Sequence, residues 1–116
     1  MPFFHGTTIQ MTVTLKPEDV PTFWAAFKPV FEHVTAEQEC TFFEVYKSEE
    51  PGVISWTENW SKSKEWIVDV QIKKPYYDAY RAITTPLLLK PVEIRVYERL
   101  GPEFTVVKKE NGGLKE

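Results

Sequence analysis

Thr41-Phe42-Phe43-Glu44-Val45-Tyr46-Lys47-Ser48, then Glu50-Pro51-Gly52, then Val53-Ile54-Ser55-Trp56-Thr57-Glu58-Asn59-Trp60: this stretch decides the fold. Each limb is rich in aromatic and β-branched residues and alternates in polarity, as a strand with two unlike faces must. Pro-Gly between them supplies a tight turn, so residues 41–48 and 53–60 read as a β-hairpin.

Working outward, residues 8–15 also alternate. Ile9, Met11, Val13 and Leu15 share one face, and Thr8, Gln10, Thr12 and Thr14 the other. Pro17-Glu18-Asp19 then opens a helix, with proline at its first position and acids against its positive end. Val20, Phe23, Trp24, Phe27, Val30, Phe31 and Val34 recur at helical spacing, a stripe wide enough to cover a sheet. Pro29 inside that pattern predicts a kink near Phe27.

Beyond the hairpin, Ser61-Lys62-Ser63-Lys64-Glu65 caps a short helix through about Ile72. Pro75 restarts a helix carrying Tyr76, Tyr77, Tyr80, Arg81 and Ile83, and Thr84-Thr85-Pro86 ends or kinks it. Residues 91–99, with Pro91-Val92-Glu93-Ile94-Arg95-Val96-Tyr97-Glu98, are the last strand.

The predicted order is β-α-β-β-α-β, with the last helical region in two pieces. It defines an α+β, ferredoxin-like domain with an antiparallel sheet. Residues 1–100 form this single domain, and 101–116 a C-terminal arm and polar tail. The tail is expected to be disordered, with residues 104–107 free to add to a sheet edge. Helices cover one sheet face; the other carries Phe42, Tyr46, Thr57, Asn59 and Tyr97. Two such faces packed together predict a homodimeric α+β barrel.

Composition narrows the function. A net charge of −3 without a dense Lys/Arg stripe argues against nucleic acid as a partner. No apolar run is long enough for a membrane span. Met1-Pro2-Phe3-Phe4-His5-Gly6 lacks the charged start and apolar core of a signal peptide, so a cytoplasmic location is expected, although a non-standard export route would leave no mark. The single cysteine, Cys40, can close no intrachain disulfide and reads as a small buried residue. Two distant histidines give no metal spacing. The five glycines form no phosphate loop, so nicotinamide, flavin and ATP sites are unsupported and no cofactor is expected. Aromatic residues, at 15%, exceed what a small core needs, which points to an aromatic pocket or interface.

Several dispersed features resemble the antibiotic biosynthesis monooxygenase domain family. They are the acidic-Cys start at Glu39-Cys40, the Glu-x-Trp of Glu58-Asn59-Trp60, the amphipathic helix that follows, and the closing Arg95-Val96-Tyr97-Glu98. Their order and spacing carry the resemblance, which covers residues 8–99. Gln71-Ile72-Lys73-Lys74-Pro75-Tyr76-Tyr77 and the polar tail are similar to fungal members.

The resemblance implies cofactor-independent oxidation by O2 of anthrones and quinols of polyketide type. A fungal branch is linked to jasmonate-type oxylipins. The family's Asn, Trp and Arg positions fall nearest to Asn59, Trp60 and Arg95. Its helical histidines are replaced here by Val70 and Tyr76, which removes the usual base. The haem ligand position of another branch holds Tyr80, which argues against haem degradation.

The candidate catalytic residues are therefore Arg95, Asn59 and Tyr76. The candidate substrate-binding residues are Trp24, Phe27, Phe31, Trp56, Trp60, Trp66, Tyr80 and Arg81. Tyr77 reads as a packing residue, and His33 as a contact to the helix C-terminus. Asn59 falls on the outer strand face unless a bulge reverses the alternation. Glu58 alternates onto the helix-side face beside Trp56. It reads either as a buried base or as a carboxylate pairing with Arg95 or Arg99, the structural role being preferred.

The expected partners are a small molecule and O2. Two other functions fit the same scaffold: a non-catalytic small-molecule binding protein, and a cofactor-free isomerase or cyclase.

Overall fold

A computed structural model describes residues 5–108 of the chain. Its four strands are β1 (Thr7–Thr14), β2 (Cys40–Lys47), β3 (Val53–Trp60) and β4 (Glu93–Glu98). The helices are α1 (Val20–Ala36), α2 (Lys64–Asp69) and α3 (Tyr77–Thr84). The sheet order is β2-β3-β1-β4, every neighbouring pair antiparallel. This is the α+β ferredoxin-like arrangement that the alternation predicts.

Register fixes two chemically different faces. Ile9 pairs with Glu58, Met11 with Trp56 and Val13 with Ile54, all pointing toward the helices. On the other face Gln10 pairs with Thr57 and Arg95, and Thr8 with Asn59 and Tyr97. A register shift lies in β2, between Cys40 and Phe42. It leaves the alternation of β3 untouched, so Asn59 stays on the outer face.

α1 buries Phe23, Phe27, Val30 and Val34, the inner line of the expected stripe. The helix is unbroken through Pro29, which lies on its exposed side. Water there can satisfy the carbonyl that loses its helical donor. Two buried clusters result. One gathers Phe23, Phe27, Ile54 and Trp56; the other gathers Ile9, Val30, Val34, Trp60 and Ile67.

Ser63 caps α2 by accepting the Trp66 amide. The helix is shorter than expected, giving way after Asp69 to a 3-10 turn, Gln71–Lys73. A second 3-10 turn, Thr85–Leu87, follows α3 at Pro86. β4 begins at Glu93, two residues later than expected, because Pro91 has no N–H for the ladder. Residues 104–107 form no strand in this chain. The expected disorder of the polar tail falls mainly on 109–116, outside the described residues. No helix among the described residues is long and apolar enough to cross a membrane.

The hairpin turn depends on Gly52. Its φ is +85°, and a Cβ built there would lie 2.1 Å from the Leu15 carbonyl oxygen. That backbone cannot retreat, because Leu15 N–H donates to the Gly52 carbonyl at 2.8 Å. Gly52→Ala is expected to cost about 3 kcal/mol, from left-handed strain plus overpacking. It should lower the urea midpoint at unchanged slope; a loss below about 0.5 kcal/mol would refute this account of the turn.

Candidate functional site

The sheet, α1 and α3 enclose a cavity of about 330 Å³. That is near the lower end of small-molecule sites, about 300–1,000 Å³. Its walls are mostly apolar. Phe27, Val30 and Val34 come from α1, Met11 and Val13 from β1, and Trp56 from β3. Val92 and Ile94, beside and on the edge strand β4, complete one side. Ile94 is 53% exposed, so the lining reaches solvent there.

Into this apolar space projects one carboxylate, Glu58, only 8% exposed. The strand alternation places it between Trp56 and Trp60. Trp56 Nε1 donates to one Glu58 oxygen at 2.7 Å, and Trp60 Nε1 to the other at 2.9 Å. Burial raises the Glu58 pKa above the ordinary glutamate value; the Trp60 and Trp56 donors oppose this without cancelling it. Each oxygen retains an acceptor position beyond its indole bond. Glu58 can therefore take a proton from a ligand in the cavity.

α3 supplies the facing polar groups. Tyr77, Tyr80, Arg81 and Thr84 follow helical spacing and line the cavity. Burial holds the Tyr77 phenol above its ordinary pKa, with the Glu58 charge acting in the same direction. Tyr80 is pushed up to about 12, again chiefly by burial. Both remain protonated donors at neutral pH. The Arg81 guanidinium stacks over the Tyr77 ring, 4.9 Å from its centroid, and donates to the Ile72 carbonyl at 2.7 Å. It thus ties α3 to the turn after α2, which also carries the cavity residue Ile72.

Phe27, Trp56, Tyr80 and Arg81 of the expected binding residues line this cavity. The others do not. Trp24 and Phe31 flank a shallow groove with Lys28 and Val45, on the β2 side of α1. Trp60 is 0% exposed and serves as a donor to Glu58. Trp66 packs against Trp60, with the Lys62 and Lys74 ammonium groups each 5.9 Å from its ring centroid.

None of the three candidate catalytic residues reaches the cavity. Asn59 and Arg95 lie on the outer sheet face, because strand alternation turns them away from Glu58 and Ile94. Asn59 Oδ1 accepts the Thr8 hydroxyl there at 2.6 Å. Tyr76 precedes α3 and points outside. Its ring stacks on His33 at 4.9 Å and its hydroxyl donates to Glu37 at 3.0 Å. Its pKa is pushed up to about 12, chiefly by burial. Tyr77, read from the sequence as a packing residue, is the one of the two that lines the cavity. Glu58 pairs with indoles rather than with Arg95 or Arg99, and its position was readable from the alternation of β3. Cys40, its thiol raised to about 11 mainly by burial, is no nucleophile at neutral pH.

A four-stranded α+β sheet with a buried carboxylate in a cavity lined by apolar and aromatic residues gives a candidate small-molecule site on a ferredoxin-like scaffold. Comparison with known proteins gives the class. A protein of Pestalotiopsis microspora named "Putative monooxygenase GME11364" is 36% identical over 96 residues, covering 82% of this chain and 80% of its own. The "Putative antibiotic biosynthesis monooxygenase" of Nitrosomonas europaea superposes with a TM-score of 0.76 at 16% identity, over 88% of this chain and 97% of its own. A conserved protein of Methanosarcina mazei superposes at 0.74 with 24% identity, over 83% and 94%. No family model matches the chain. The fungal relative and the shared fold are sufficient: the chain belongs to the antibiotic biosynthesis monooxygenase family, a group of monooxygenase-like oxidoreductases.

Glu58 makes stability depend on pH with a defined sign. Its folded pKa is above the unfolded one, so the folded state holds the proton more tightly. The contribution is complete below the ordinary glutamate value near 4.5 and is lost as pH rises through the raised value. Urea midpoints of the wild type and Glu58→Gln, compared across this range, should show the wild type losing stability relative to the variant as pH rises. A flat difference would mean that Glu58 is not desolvated.

Proposed function

We propose that this chain is a cofactor-free monooxygenase that oxidises a small phenolic or enolisable aromatic molecule, of anthrone or quinol type, with O2. The observation that carries the reading is Glu58, a desolvated carboxylate facing an apolar cavity. It supplies the base that the residues at Val70 and Tyr76 do not.

The chemistry balances without an added reductant. Glu58 takes a proton from an anthrone-type CH2, leaving a delocalised anion. One electron passes from that anion to O2, and the resulting radical and superoxide combine at carbon as a peroxide anion. The proton returns from Glu58 to give the hydroperoxide. Loss of water from C–H and O–OH leaves the ketone, with one oxygen atom in product and one in water. Tyr77, Tyr80 and Arg81 are the donors for the intermediate anions. The apolar walls exclude water that would compete for them.

This sequence requires a substrate acidic enough for a carboxylate. An unactivated oxylipin methyl cannot be deprotonated by Glu58 and supplies no electrons to O2, so the aromatic class takes precedence over jasmonate-like substrates. The reading includes a homodimer. The outer sheet face, with Phe42, Tyr46 and Tyr97, is the surface on which a second copy would pack.

The test is oxygen uptake by purified protein against anthrones, hydroquinones and oxylipins, with product masses read in heavy-isotope O2. Labelled product from an anthrone or quinol is expected, and Glu58→Gln should lower kcat about 100-fold or more. Turnover of a substrate without O2 would replace the reading with an isomerase or cyclase. Tight binding without turnover would replace it with a binding protein.

A further inference from the structure

Among the described residues, two charged side chains line the cavity, Glu58 and Arg81. They stand at different depths. Glu58 is buried, whereas the Arg81 side chain is 46% exposed. The Arg81 guanidinium stacks over the Tyr77 ring and donates to the Ile72 carbonyl, and both of those residues line the cavity as well. The guanidinium therefore lies where three lining residues meet. Ile72 is itself part-exposed, so this is a rim of the cavity and not its floor.

Most of the Arg81 donors are unspent. Of the five N–H groups of a guanidinium, one meets the Ile72 carbonyl at 2.7 Å. The only carboxylate neighbour among the described residues is Asp78, an exposed side chain on the same helix. At 3.9 Å from Nη1 it is beyond hydrogen-bond reach. Glu58 bonds two indoles instead. Arg81 is thus oriented by a carbonyl and a ring, neither of which carries a charge.

We infer that Arg81 receives a carboxylate of the substrate at the cavity rim, so that an aromatic acid enters with its acid group outward and its reacting end toward Glu58. The inference rests on the proposed reading of the cavity and narrows its substrate. Arg81 already counts there among the donors for transient anions; here it meets a charge that the molecule carries before and after reaction.

Three features select a carboxylate and its direction. A planar fork of N–H groups matches two oxygens held in one plane. A single lining cation balances a monoanion, whereas a phosphate monoester would bring a second charge with no partner. The deep end of the cavity is closed to an anion, because Glu58 would set a like charge beside it in apolar surroundings. At the rim water still reaches the acid group, so its desolvation costs less there. The same water keeps the gain from the pair modest.

The test is calorimetric binding of 2-naphthoate and of 2-naphthamide to the full chain at neutral pH. The two ligands share a ring system and differ in the charge of one group. Wild type should bind the acid about tenfold more tightly than the amide. Arg81→Gln should bring that ratio to about one or below, with little change in the affinity for the amide. Raising the salt concentration should lower the wild-type ratio, as an exposed pair requires. Glu58→Gln, which removes the deep charge, should move the ratio by less than about threefold.

A wild type that does not prefer the acid overturns the inference, as does a preference that survives in Arg81→Gln. Equal weakening of both ligands by Arg81→Gln overturns it in favour of a guanidinium that only ties α3 to the turn at Ile72. A larger rise of the ratio in Glu58→Gln overturns the orientation, since the acid group would then lie at the floor. Each of these leaves Glu58 as base untouched. A wild type that binds neither ligand overturns the inference and the cavity reading together.

Discussion

The placement of one carboxylate between two indoles organises this domain. β3 is a strand of period two, so Ile54, Trp56, Glu58 and Trp60 must all face the helices. An ionised glutamate in that row would be prohibitive without donors. Trp56 and Trp60 provide one N–H to each oxygen. The indoles must then be held. Trp60 packs with Ile9, Val30, Val34 and Ile67, and Trp56 with Phe23 and Phe27. Both buried clusters of the domain thus converge on Glu58, and the cavity is the space left open in front of it.

The second organising feature is the division of labour along α3. One face, Tyr77, Tyr80, Arg81 and Thr84, looks into the cavity. Tyr76, one residue before the helix, is turned by the helical period toward α1 and the Glu37–Lys74 pair. Adjacent tyrosines consequently do different work. One lines the cavity, and the other donates to Glu37; both hydroxyls accept from Gln71 Nε2.

The fold was legible because its signals are periodic. The alternations at Ile9–Met11–Val13 and Ile54–Trp56–Glu58–Trp60 fix strand faces, and the Phe23–Phe27–Val30–Val34 spacing fixes the covering helix. The site was legible only in part, since periodicity assigns a face but not a depth. Trp24, Phe31 and Phe27 belong to one stripe, yet of the three only Phe27 reaches the cavity, while Trp24 and Phe31 line the groove beside Val45 of β2. The sequence reading favours Tyr76 over Tyr77, yet Tyr77 lines the cavity, because the first turn of α3 follows from the 3-10 turn at Gln71–Lys73 that precedes it. The alternation of β3 alone puts Glu58 on the helix-facing side. Its partners could not be named, since an indole two residues along the same strand is ordinarily read as packing and not as a donor.

That unusual pairing also bears on the chemistry. A base must be unprotonated when substrate arrives and still basic enough to take its proton. Burial alone serves only the second requirement, since it leaves the carboxyl neutral and with no vacancy for a proton. Indole donors alone serve only the first, because they stabilise the anion and weaken its pull. In Glu58 the two act on the same group in opposite directions, with burial the larger. The donors come from the residues two places before and after it on the same strand, so the backbone places all three on one face and the packing of the two clusters holds the indoles in place. A single eight-residue strand therefore carries the candidate base and both groups that tune it, and the remainder of the chain supplies the walls, the exclusion of water and the facing donors.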